Sequence, residues 1–524
     1  MFVINAISNA SKQKKEATDI NVYDVKKCFD SLWLSECIND LYEDGLKNDK
    51  LALIHKSNLS ANIAIKTSSG TTDRFTIKET VMQGTVWSGL MCTSTMDKLF
   101  KLIQQHEHLL YIYKEKVKVP PLQMVDDVIT AAKCGSTASA LNAAVNTFME
   151  LKKLKLSADK CANIHIGNKD SRSRCHVKKV HGEDMKNSDK EKYLGDFVTS
   201  NGNSKETIHN RKIRGNAILT EIRAILKDIP LGNQRNQTGL LLRQAWFLNS
   251  CLMNSEVWSG YIDSDLKDLE VIDHQILRAI VGAQAKVPTE MLYLETAQIP
   301  IKSVISVRRL LFLHTILTRH KDELTRQIYC AMRDDPLKDD WIHLVKKDME
   351  QINLNLTDDQ IEKMSKSEFK KILKSKVRTY THAEFEHDKE GHSKVKHIIH
   401  TSLNYPQPYI TNPLFSNKQT SLLFNLRSQC VNEFKGNFYI SLCQFCNLSQ
   451  DTQEHALSCN VIKNEINKEI LPIFNSVNYI DIFSTVQSQH QITKVFQSVI
   501  QLRERLRVSS LDPAYPGLST GPGG

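Results

Sequence analysis

The sequence lacks several features that would assign it at once to a class of proteins. No apolar run reaches the roughly 18 residues that a membrane-spanning helix needs, so no membrane association is expected. The start, MFVINAISNASKQKK, has a short apolar patch and no basic lead, which argues against a secretory signal peptide. Twelve cysteines in 524 residues are too few for a disulfide scaffold and suit a reducing compartment. We therefore expect a protein of the nucleus or cytoplasm, not a secreted one.

Length and charge set the next limits. A chain of 524 residues is long enough for two to four domains of ~100–200 residues each. Hydrophobic residues make up 41% of the chain, which is enough to build a sizeable core. The formal net charge is +10 and the isoelectric point is near 8.8. This excess is compatible with an ordinary solvated surface, and it also permits a polyanionic partner such as nucleic acid.

The pattern of short and long periodic segments divides the chain. The first 200 residues mix short strand-like runs with amphipathic helices, which predicts a domain of the α/β or α+β class. Long helices follow after Gly202, and NYPQPYITNP at 404–413 predicts a linker. The predicted boundaries are 1–202 for the mixed domain, 203–320 for a helical region, 321–410 for a charged helical connector, 411–470 for a cysteine-bearing unit, 471–510 for a helical tail and 511–524 for a disordered Pro/Gly tail.

Two adjacent aspartates, Asp126 and Asp127, interrupt the apolar stretch LQMVDDVITAAKCG at 122–135. Asp24 lies upstream in NVYDVKKCF, an alternating stretch that predicts a strand over 21–29. One strand with a single aspartate and a strand-turn-strand with two can bring three carboxylates together. Their repulsion, ~4 kcal/mol per pair at an effective dielectric of 20, calls for divalent cations, and hard oxygen ligands favour Mg²⁺. The alternative is a plain hairpin turn beside a partly exposed strand residue.

A second group of metal-ligand residues lies near the C-terminus. Cys443, Cys446, His455 and Cys459 form the pattern C-x2-C-x8-H-x3-C, which suits one tetrahedral, structural Zn²⁺. The alternative is four unrelated core residues. A looser set, Cys161, His165, Cys175 and His176, could also bind a metal, although the alternation in CANIHIG favours packing instead.

Five segments occur in a fixed order: YDVKKCFDSLW, ETVMQGTVWSG, QMVDDV, LKLSADKC and KYLGDFV. Together they resemble the palm motifs of reverse transcriptases, most closely those of non-LTR (LINE-type) retrotransposons. The resemblance extends through the helical region to CQFCNLSQDTQEHALSC and covers roughly residues 1 to 465. It implies a partial right-hand polymerase, with a palm, a helical thumb, a helical connector and a small zinc knuckle.

The resemblance also implies roles for individual residues. Asp24 matches the first metal-binding aspartate of the family, Asp126 matches the second, and Asp127 matches its neighbour at the primer terminus. These three carboxylates would hold two Mg²⁺ ions. Lys160 falls where the family has a lysine that protonates the leaving pyrophosphate, and the alternative for it is a plain surface lysine.

Further positions match the segments that contact nucleotide and template. Phe29 stands where the family has the aromatic residue that excludes a ribose 2′-OH, and the alternative for it is a core aromatic. Gln83, Gly84 and Ser88 fit the family pattern Q-G-x-x-x-S. The first long helix carries Arg211, Lys212 and Arg214, which in a thumb would grip the nucleic-acid backbone and otherwise would form a solvated face.

The resemblance is incomplete in three places. Gln123-Met124-Val125 replaces the usual lead into the aspartate pair, and Gly89 replaces a proline that often follows the serine. Only 23 residues precede Asp24, so we expect the finger strands that clamp the triphosphate to be missing. The implied function is RNA-directed DNA polymerisation, with an RNA template, a DNA primer or target and deoxynucleoside triphosphates. The alternative is a truncated, non-catalytic remnant that binds nucleic acid through thumb and zinc knuckle.

Overall fold

The computed structural model describes residues 1–59, 61–77, 80–133, 135–167, 178–229, 233–389, 403–434 and 441–509. The chain forms two compact units. Unit 1 comprises Met1–Asn210, Asn254–Asp265 and Arg308–Phe369, and unit 2 comprises Arg211–Met253, Leu266–Val307 and Lys370–Gly524. The segment 203–320, for which we predict a thumb, is therefore divided between the two units. The predicted disordered tail, 511–524, lies outside the described residues.

Unit 1 is built on a five-stranded sheet. Its central strand, β1 (Thr18–Tyr23), is buried along all six residues. It pairs antiparallel with β9 (Asp127–Lys133) on one side and with β10 (Ala162–Ile166) on the other. Strand β8 (Leu122–Met124) extends the sheet as a hairpin with β9, and β13 (Lys186–Asn187) pairs parallel with β10. The strand order is therefore β13-β10-β1-β9-β8.

Helices cover this sheet through regularly spaced apolar residues. In α5 (Ser88–Gln104), the buried residues Cys92, Met96 and Leu99 recur at helical spacing. In α6 (Ser136–Leu151), Leu141, Val145 and Phe148 repeat the same pattern. Both faces belong to one hydrophobic core with the end of β1. The predicted α+β character of this region is therefore observed.

The remaining elements of the first 200 residues are short. The helices are α1 (Phe2–Lys14), α2 (Cys28–Ser31), α3 (Leu34–Glu43) and α4 (Asn48–Leu59). Small two-stranded sheets pair β2 (Ala61–Ile63) with β5 (Phe75–Ile77), β3 (Lys66–Thr67) with β4 (Gly70–Thr71), β6 (Tyr111–Tyr113) with β7 (Val117–Val119), β11 (Lys179–Val180) with β12 (Glu183–Asp184), and β14 (Lys190–Tyr193) with β15 (Asp196–Thr199).

The first strand is shorter than predicted. We expected it to run over 21–29 with Asp24 in its middle, whereas β1 ends at Tyr23. Beyond it, Lys27 adopts a left-handed backbone conformation with φ 48°, and residues Cys28–Ser31 form a helical turn. A strand cannot continue through such a backbone, so Asp24 lies just past the strand end rather than within it.

The described segments after residue 200 are mainly helical. The long helices predicted from periodicity are observed at Lys205–Asp228, Asp263–Val281 and Ile301–Leu317. Further helices of unit 1 span Leu324–Asp334, Trp341–Gln351 and Asp358–Lys363. The others are Asn233–Leu242, Asn249–Cys251, Thr289–Thr296, Lys366–Lys389, Pro408–Thr411, Asn417–Arg427, Gln453–Ser458, Asn460–Glu465, Leu471–Ser476 and Val486–Ser509, with 3-10 turns at Glu107–Leu109, Ser255–Val257 and Tyr479–Phe483.

One predicted helix is interrupted. The sequence TGLLLRQAWFLNSCLMNSEVW predicts a continuous helix, but residues Arg243–Leu248 form a π-helical segment. Arg243 is buried there and forms two hydrogen bonds of 2.6 and 2.7 Å with the carboxylate of Asp273. It also donates to Oε1 of Gln298 at 2.7 Å. The π-helical segment therefore coincides with a buried arginine that Asp273 and Gln298 bind.

We predicted a linker at 404–413, and this prediction is wrong for the centre of the stretch. Residues Pro408–Thr411 form a short helix in which Tyr409 and Ile410 are buried. The Tyr409 hydroxyl donates to Oε2 of Glu295 at 2.5 Å, and Arg427 donates to both carboxylate oxygens of Glu295. Proline at the first helical position made this stretch resemble a loop, whereas its apolar residues belong to the core of unit 2. Within the described residues, no helix is long and apolar enough to cross a membrane.

Candidate active site and candidate metal centre

Asp24 is held just beyond β1 by the segment 155–161. The amide of Ser157 donates to the Asp24 carbonyl at 2.9 Å, and the amide of Lys26 donates to the Lys155 carbonyl at 2.7 Å. The amide of Asp24 itself lies 3.4 Å from Sγ of the buried Cys161. The backbone around Asp24 is therefore fixed, while its side chain remains about one-third exposed.

Asp126 and Asp127 lie at the tip of the β8–β9 hairpin. Met124 and Asp127 face each other across it, so Val125 and Asp126 form the turn. Val125 has φ 60°, a conformation that is strained for a β-branched residue. The side-chain amide of Gln123 donates to the Val125 carbonyl at 2.9 Å and helps to hold this turn. Strain of this kind is concentrated at functional sites in proteins.

Strand pairing brings the three aspartates together. Tyr23 pairs with Val128, so Asp24 follows β1 at the end of the sheet where Asp127 begins β9. Burial, followed by the charges of Asp126 and Asp24, raises the pKa of Asp127. The negative charges of Asp24 and Asp126 therefore act on Asp127. Carboxylate oxygens are the type of ligand that Mg²⁺ prefers.

A cavity of about 500 Å³ opens beside these carboxylates. Asp24 and Asp126 line it together with Gln83, Phe29 and Lys160. Lys160 is mostly exposed, and its Nζ atom lies 3.5 Å from Oδ2 of Asp24. Five residues that the motifs single out, from four separate segments of the chain, thus form the wall of one cavity.

Two other motif residues, Ser88 and Gly84, lie at the start of α5 and in the turn before it. Ser88 is 4% exposed, and its hydroxyl donates to the Thr85 carbonyl at 2.8 Å where α5 begins. Gly84 has φ 89°, a backbone conformation that favours glycine, and a Cβ atom there would meet nothing within 4 Å. Neither residue lines the cavity, so a contact with template or nucleotide remains a prediction for both. Phe29 lines the cavity and also packs against the hydrophobic core.

Sequence reasoning missed five polar residues of the cavity wall: Lys26, Lys27, Asp30, Ser157 and Asp159. The two lysines are exposed and follow Asp24 by two and three residues. Their proximity to the first motif aspartate was the signal that could have identified them. They add positive charge beside the carboxylates, which suits a ligand that carries phosphates.

The predicted backbone-binding residues of the first long helix have partners within unit 2. Arg211 donates to the Ser250 carbonyl at 3.4 Å, and Nζ of Lys212 lies 2.9 Å from Oδ2 of Asp268. Arg214 is exposed. Contacts of these residues with nucleic acid remain a prediction.

The four residues of the C-terminal pattern come together in unit 2. The ligand atoms of Cys443, Cys446, His455 and Cys459 all lie within 4.8 Å of one another. Sγ of Cys446 lies 3.4 Å from Nε2 of His455. A tetrahedral zinc site with Zn–S bonds of about 2.3 Å places its sulfur atoms about 3.8 Å apart, so the set fits Zn²⁺ with little rearrangement.

Local backbone geometry positions these ligands. Cys443 and Cys446 lie on a tight turn in which Asn447 donates to the Cys443 carbonyl at 2.9 Å, and the Cys443 amide donates to the Ser449 carbonyl at 2.8 Å. Thr452 caps the helix that carries His455. Hydrogen bonds from the amide of Leu448, and then from that of Ser449, lower the pKa of Cys446 to about 6. This favours the thiolate that a metal ion requires.

The looser cysteine and histidine set does not form a metal site among the described residues. Cys161 contacts the backbone of Asp24, and Nδ1 of His165 lies 2.8 Å from Oδ1 of the buried Asp19. Cys175 and His176 lie outside the described residues. Lys178 also pairs with Asp19, so His165 belongs to a buried charge network in the sheet.

Comparison with known proteins adds independent information. Residues 3–196 match the family described as reverse transcriptase (RNA-dependent DNA polymerase). No curated protein sequence matches significantly.

Solved structures show only a distant likeness. Telomerase from Candida tropicalis in complex with the TWJ fragment of telomeric RNA is 16% identical, with a TM-score of 0.31, over 63% of this chain and 52% of that one. Telomerase from Candida albicans in complex with the TWJ fragment is 13% identical, with a TM-score of 0.30, over 54% and 50%. An apo telomerase from Candida tropicalis truncated from its C-terminal domain is 19% identical, with a TM-score of 0.27, over 38% of each chain.

In each case the chain spans less than two thirds of the structure that it matches. TM-scores this low carry no argument about function. The family match rests on sequence, and it covers the three aspartates and the cavity wall. Residues 3–196 therefore carry a reverse transcriptase (RNA-dependent DNA polymerase) domain.

Proposed function

We propose that this chain catalyses RNA-directed DNA synthesis as part of a non-LTR retrotransposon. The observation that carries the proposal is that Asp24 and Asp126 line one cavity with Gln83 and Lys160, while Asp127 follows Asp126 at the tip of the β8–β9 hairpin. The match of residues 3–196 to the reverse transcriptase family supports the type of reaction. The order and composition of the sequence motifs support the retrotransposon class.

Asp24, Asp126 and Asp127 would hold two Mg²⁺ ions. When bound, these ions would lower the pKa of the primer 3′-hydroxyl and neutralise charge on the triphosphate. This role is supported by the position of Asp24 at the end of β1, next to the hairpin that carries Asp126 and Asp127, and by the charges of Asp126 and Asp24, which help to raise the pKa of Asp127. Lys160 provides a positive charge beside Asp24, because its Nζ atom lies 3.5 Å from Oδ2 of Asp24.

The other residues of the cavity wall would bind and orient the substrates. Lys26 and Lys27 would attract the triphosphate, and Lys160 would hold a proton near the leaving pyrophosphate. Phe29 would lie against the sugar and exclude a 2′-hydroxyl, while Gln83 would contact the template or the incoming nucleotide. The substrates are an RNA template, a DNA primer or target, and deoxynucleoside triphosphates.

Cys443, Cys446, His455 and Cys459 would hold one structural Zn²⁺. A closed set of four protein ligands leaves no open position for a substrate, so the ion would stabilise the fold of this segment. Arg503 supports the same segment from the last helix, because it pairs with the buried Asp451 and lies 4.2 Å from the Phe434 ring centroid.

Primer extension on an RNA template tests the proposal. Purified chain is incubated with Mg²⁺, deoxynucleotides and a DNA primer, beside an Asp126→Ala/Asp127→Ala variant. Asp184→Ala is a matched control, because Asp184 is an exposed carboxylate in the separate β11–β12 hairpin. We expect extension by the parent chain and the control, and none by the double variant.

Extension that survives in the double variant would contradict the assigned site. No extension by the parent chain, with nucleic acid still bound in a salt-dependent manner, would favour the alternative of a non-catalytic binding remnant.

A further inference from the structure

A second cavity, of about 570 Å³, lies within unit 2. It is formed by the helices Lys205–Asp228 and Asp263–Val281 and by the loop that follows the second of them. Its polar side chains are those of Arg223, His274, Gln275 and Arg278. We refer to it as the arginine cleft. None of the motifs that identified the polymerase site includes it.

The charge of the arginine cleft is unbalanced. Two of its lining residues are arginines, and no carboxylate lines it in the part of the chain that the structure describes. Three of the other lining residues are alanines, whose small side chains let a ligand approach the backbone closely. A cleft with guanidinium groups and no acidic partner attracts anions.

Arg278 is only partly satisfied by the protein. Its Nη2 atom donates to the Val287 carbonyl at 2.8 Å, while its Nη1 atom is buried and has no hydrogen-bond partner among the described residues. Burial lowers the pKa of Arg278, with Cys430 and Glu290 acting in the opposite direction. A buried donor of a charged group that lacks an acceptor is costly, and an oxygen of a bound anion would relieve that cost.

Arg223 provides the second guanidinium. It is exposed, and its Nη2 atom donates to Oε1 of Gln275 at 3.2 Å, which keeps the guanidinium close to the cleft wall. The nearby carboxylates are otherwise engaged. Asp273 binds Arg243 and Tyr293, and Glu290 accepts a hydrogen bond from Thr289 at 3.1 Å.

Besides the charge of Glu290, which acts on Arg278, one further electrostatic effect opposes anion binding. The helix Asp263–Val281 ends beside the cleft, and its last carbonyl groups carry partial negative charge. This effect is confined to the last turn and is screened by salt. Charge-assisted hydrogen bonds from a guanidinium to a phosphate oxygen are roughly twice as strong as neutral ones, so two arginines outweigh it.

From this geometry we infer that the arginine cleft binds a phosphate group, with Arg223 and Arg278 as its donors. The inference rests on the proposed function, because a backbone phosphate of the bound nucleic acid is the source to which we assign it. It adds two candidate phosphate contacts to Arg211, Lys212 and Arg214, whose contacts with nucleic acid remain a prediction.

The test measures binding of a fluorescent RNA–DNA duplex to the full chain by anisotropy over a series of salt concentrations. The variants are Arg223→Gln and Arg278→Gln. Lys267→Gln is the matched control, because Lys267 is an exposed cation on the same helix but outside the cleft. We expect each arginine variant to weaken binding about tenfold at low salt and to reduce the salt slope by about 1.

An unchanged salt slope in both arginine variants, or an equal change in Lys267→Gln, would overturn the assignment to nucleic acid. Arg223 is exposed, so Arg223→Gln keeps the test valid if Arg278→Gln does not fold. Addition of inorganic phosphate tests the other possible ligand of the cleft, a free phosphate ion. An increase in melting temperature with phosphate that requires Arg278, without any change in the salt slope, would assign the cleft to free phosphate and overturn the nucleic-acid source.

The outcome can be separated from that of the polymerase proposal. If primer extension fails but both arginine variants weaken duplex binding, the polymerase proposal fails and the arginine cleft stands. If extension requires Asp126 and Asp127 but the arginine variants bind normally, the polymerase proposal stands and the arginine-cleft proposal fails.

Discussion

The Nζ atom of Lys160 lies 3.5 Å from Oδ2 of Asp24. The lysine proposed as the proton donor is thus a neighbour of the first proposed metal ligand, although 136 positions separate them in the sequence. The connection is made by the backbone, because the Ser157 amide holds the Asp24 carbonyl and the turn that follows carries Lys160.

Replacement of Lys160 should affect the chemical step. We expect Lys160→Ala to lower kcat for nucleotide addition by about 10²–10⁴, the usual contribution of a general acid, and to flatten the alkaline limb of the pH–rate profile. Single-turnover primer extension measures both. Lys133→Ala is the control, because Lys133 is an exposed lysine at the far end of β9. A kcat within about twofold of the parent would show that Lys160 is only a surface lysine.

Replacement of Asp127 should raise the stability of the metal-free fold and abolish its response to Mg²⁺. The pKa of Asp127 is raised in the folded chain, so the ionised carboxylate destabilises the fold at pH values above that pKa. The destabilisation fades as the pH falls, because the carboxyl group becomes protonated in both the folded and the unfolded state. We expect Asp127→Asn to raise the melting temperature at pH 7 in EDTA, with a smaller gain at pH 4. We also expect it to abolish the rise that Mg²⁺ produces in the parent.

Differential scanning fluorimetry with and without Mg²⁺ measures these effects. Asp184→Asn should leave both the EDTA value and the Mg²⁺ response as in the parent, because Asp184 is exposed and lies in a separate hairpin. A lower melting temperature for Asp127→Asn in EDTA would mean that the carboxylate stabilises the fold, and the metal assignment would lose its electrostatic support.

The C-terminal ligand set should bind one metal ion. We expect the purified chain to contain about one zinc and Cys459→Ser to contain close to none, because loss of one thiolate leaves an incomplete tetrahedral set. Elemental analysis by mass spectrometry gives the stoichiometry. Cys330→Ser is the control, since Cys330 is a partly exposed cysteine on the helix Leu324–Asp334. Equal zinc in both variants would contradict the site.

The thiol beside Asp24 should be unreactive in the folded chain. Burial raises the pKa of Cys161 to about 11, with the Asp24 and Asp159 charges contributing in the same direction. At pH 8 only about one thiol in a thousand is then the reactive thiolate. We expect iodoacetamide to label Cys161 at least tenfold more slowly than Cys330, and the difference to disappear in guanidinium chloride. Peptide mass spectrometry resolves the two sites, and equal native rates would contradict the burial of Cys161.

The sequence by itself determined those features that depend on local order. Five motifs in series predicted a reverse transcriptase domain, and the family match over 3–196 confirms it. The four-residue metal pattern was also predictable, because all its ligands lie within 17 consecutive residues and a turn and a helix suffice to bring them together. The long helices followed from the spacing of their apolar residues, as in Asp263–Val281.

Only the tertiary structure decided which side chains meet. The end of β1 at Tyr23, the π-helical segment at Arg243 and the buried helix around Tyr409 all depend on partners that are distant in sequence. The partners of charged side chains also depend on the tertiary structure. Arg211 and Lys212 are the more conspicuous cations in the sequence, yet packing gives them protein partners and leaves a buried donor of Arg278 without one among the residues described. Periodicity and motif spacing describe neighbours along the chain, whereas hydrogen-bond satisfaction is determined by neighbours across it.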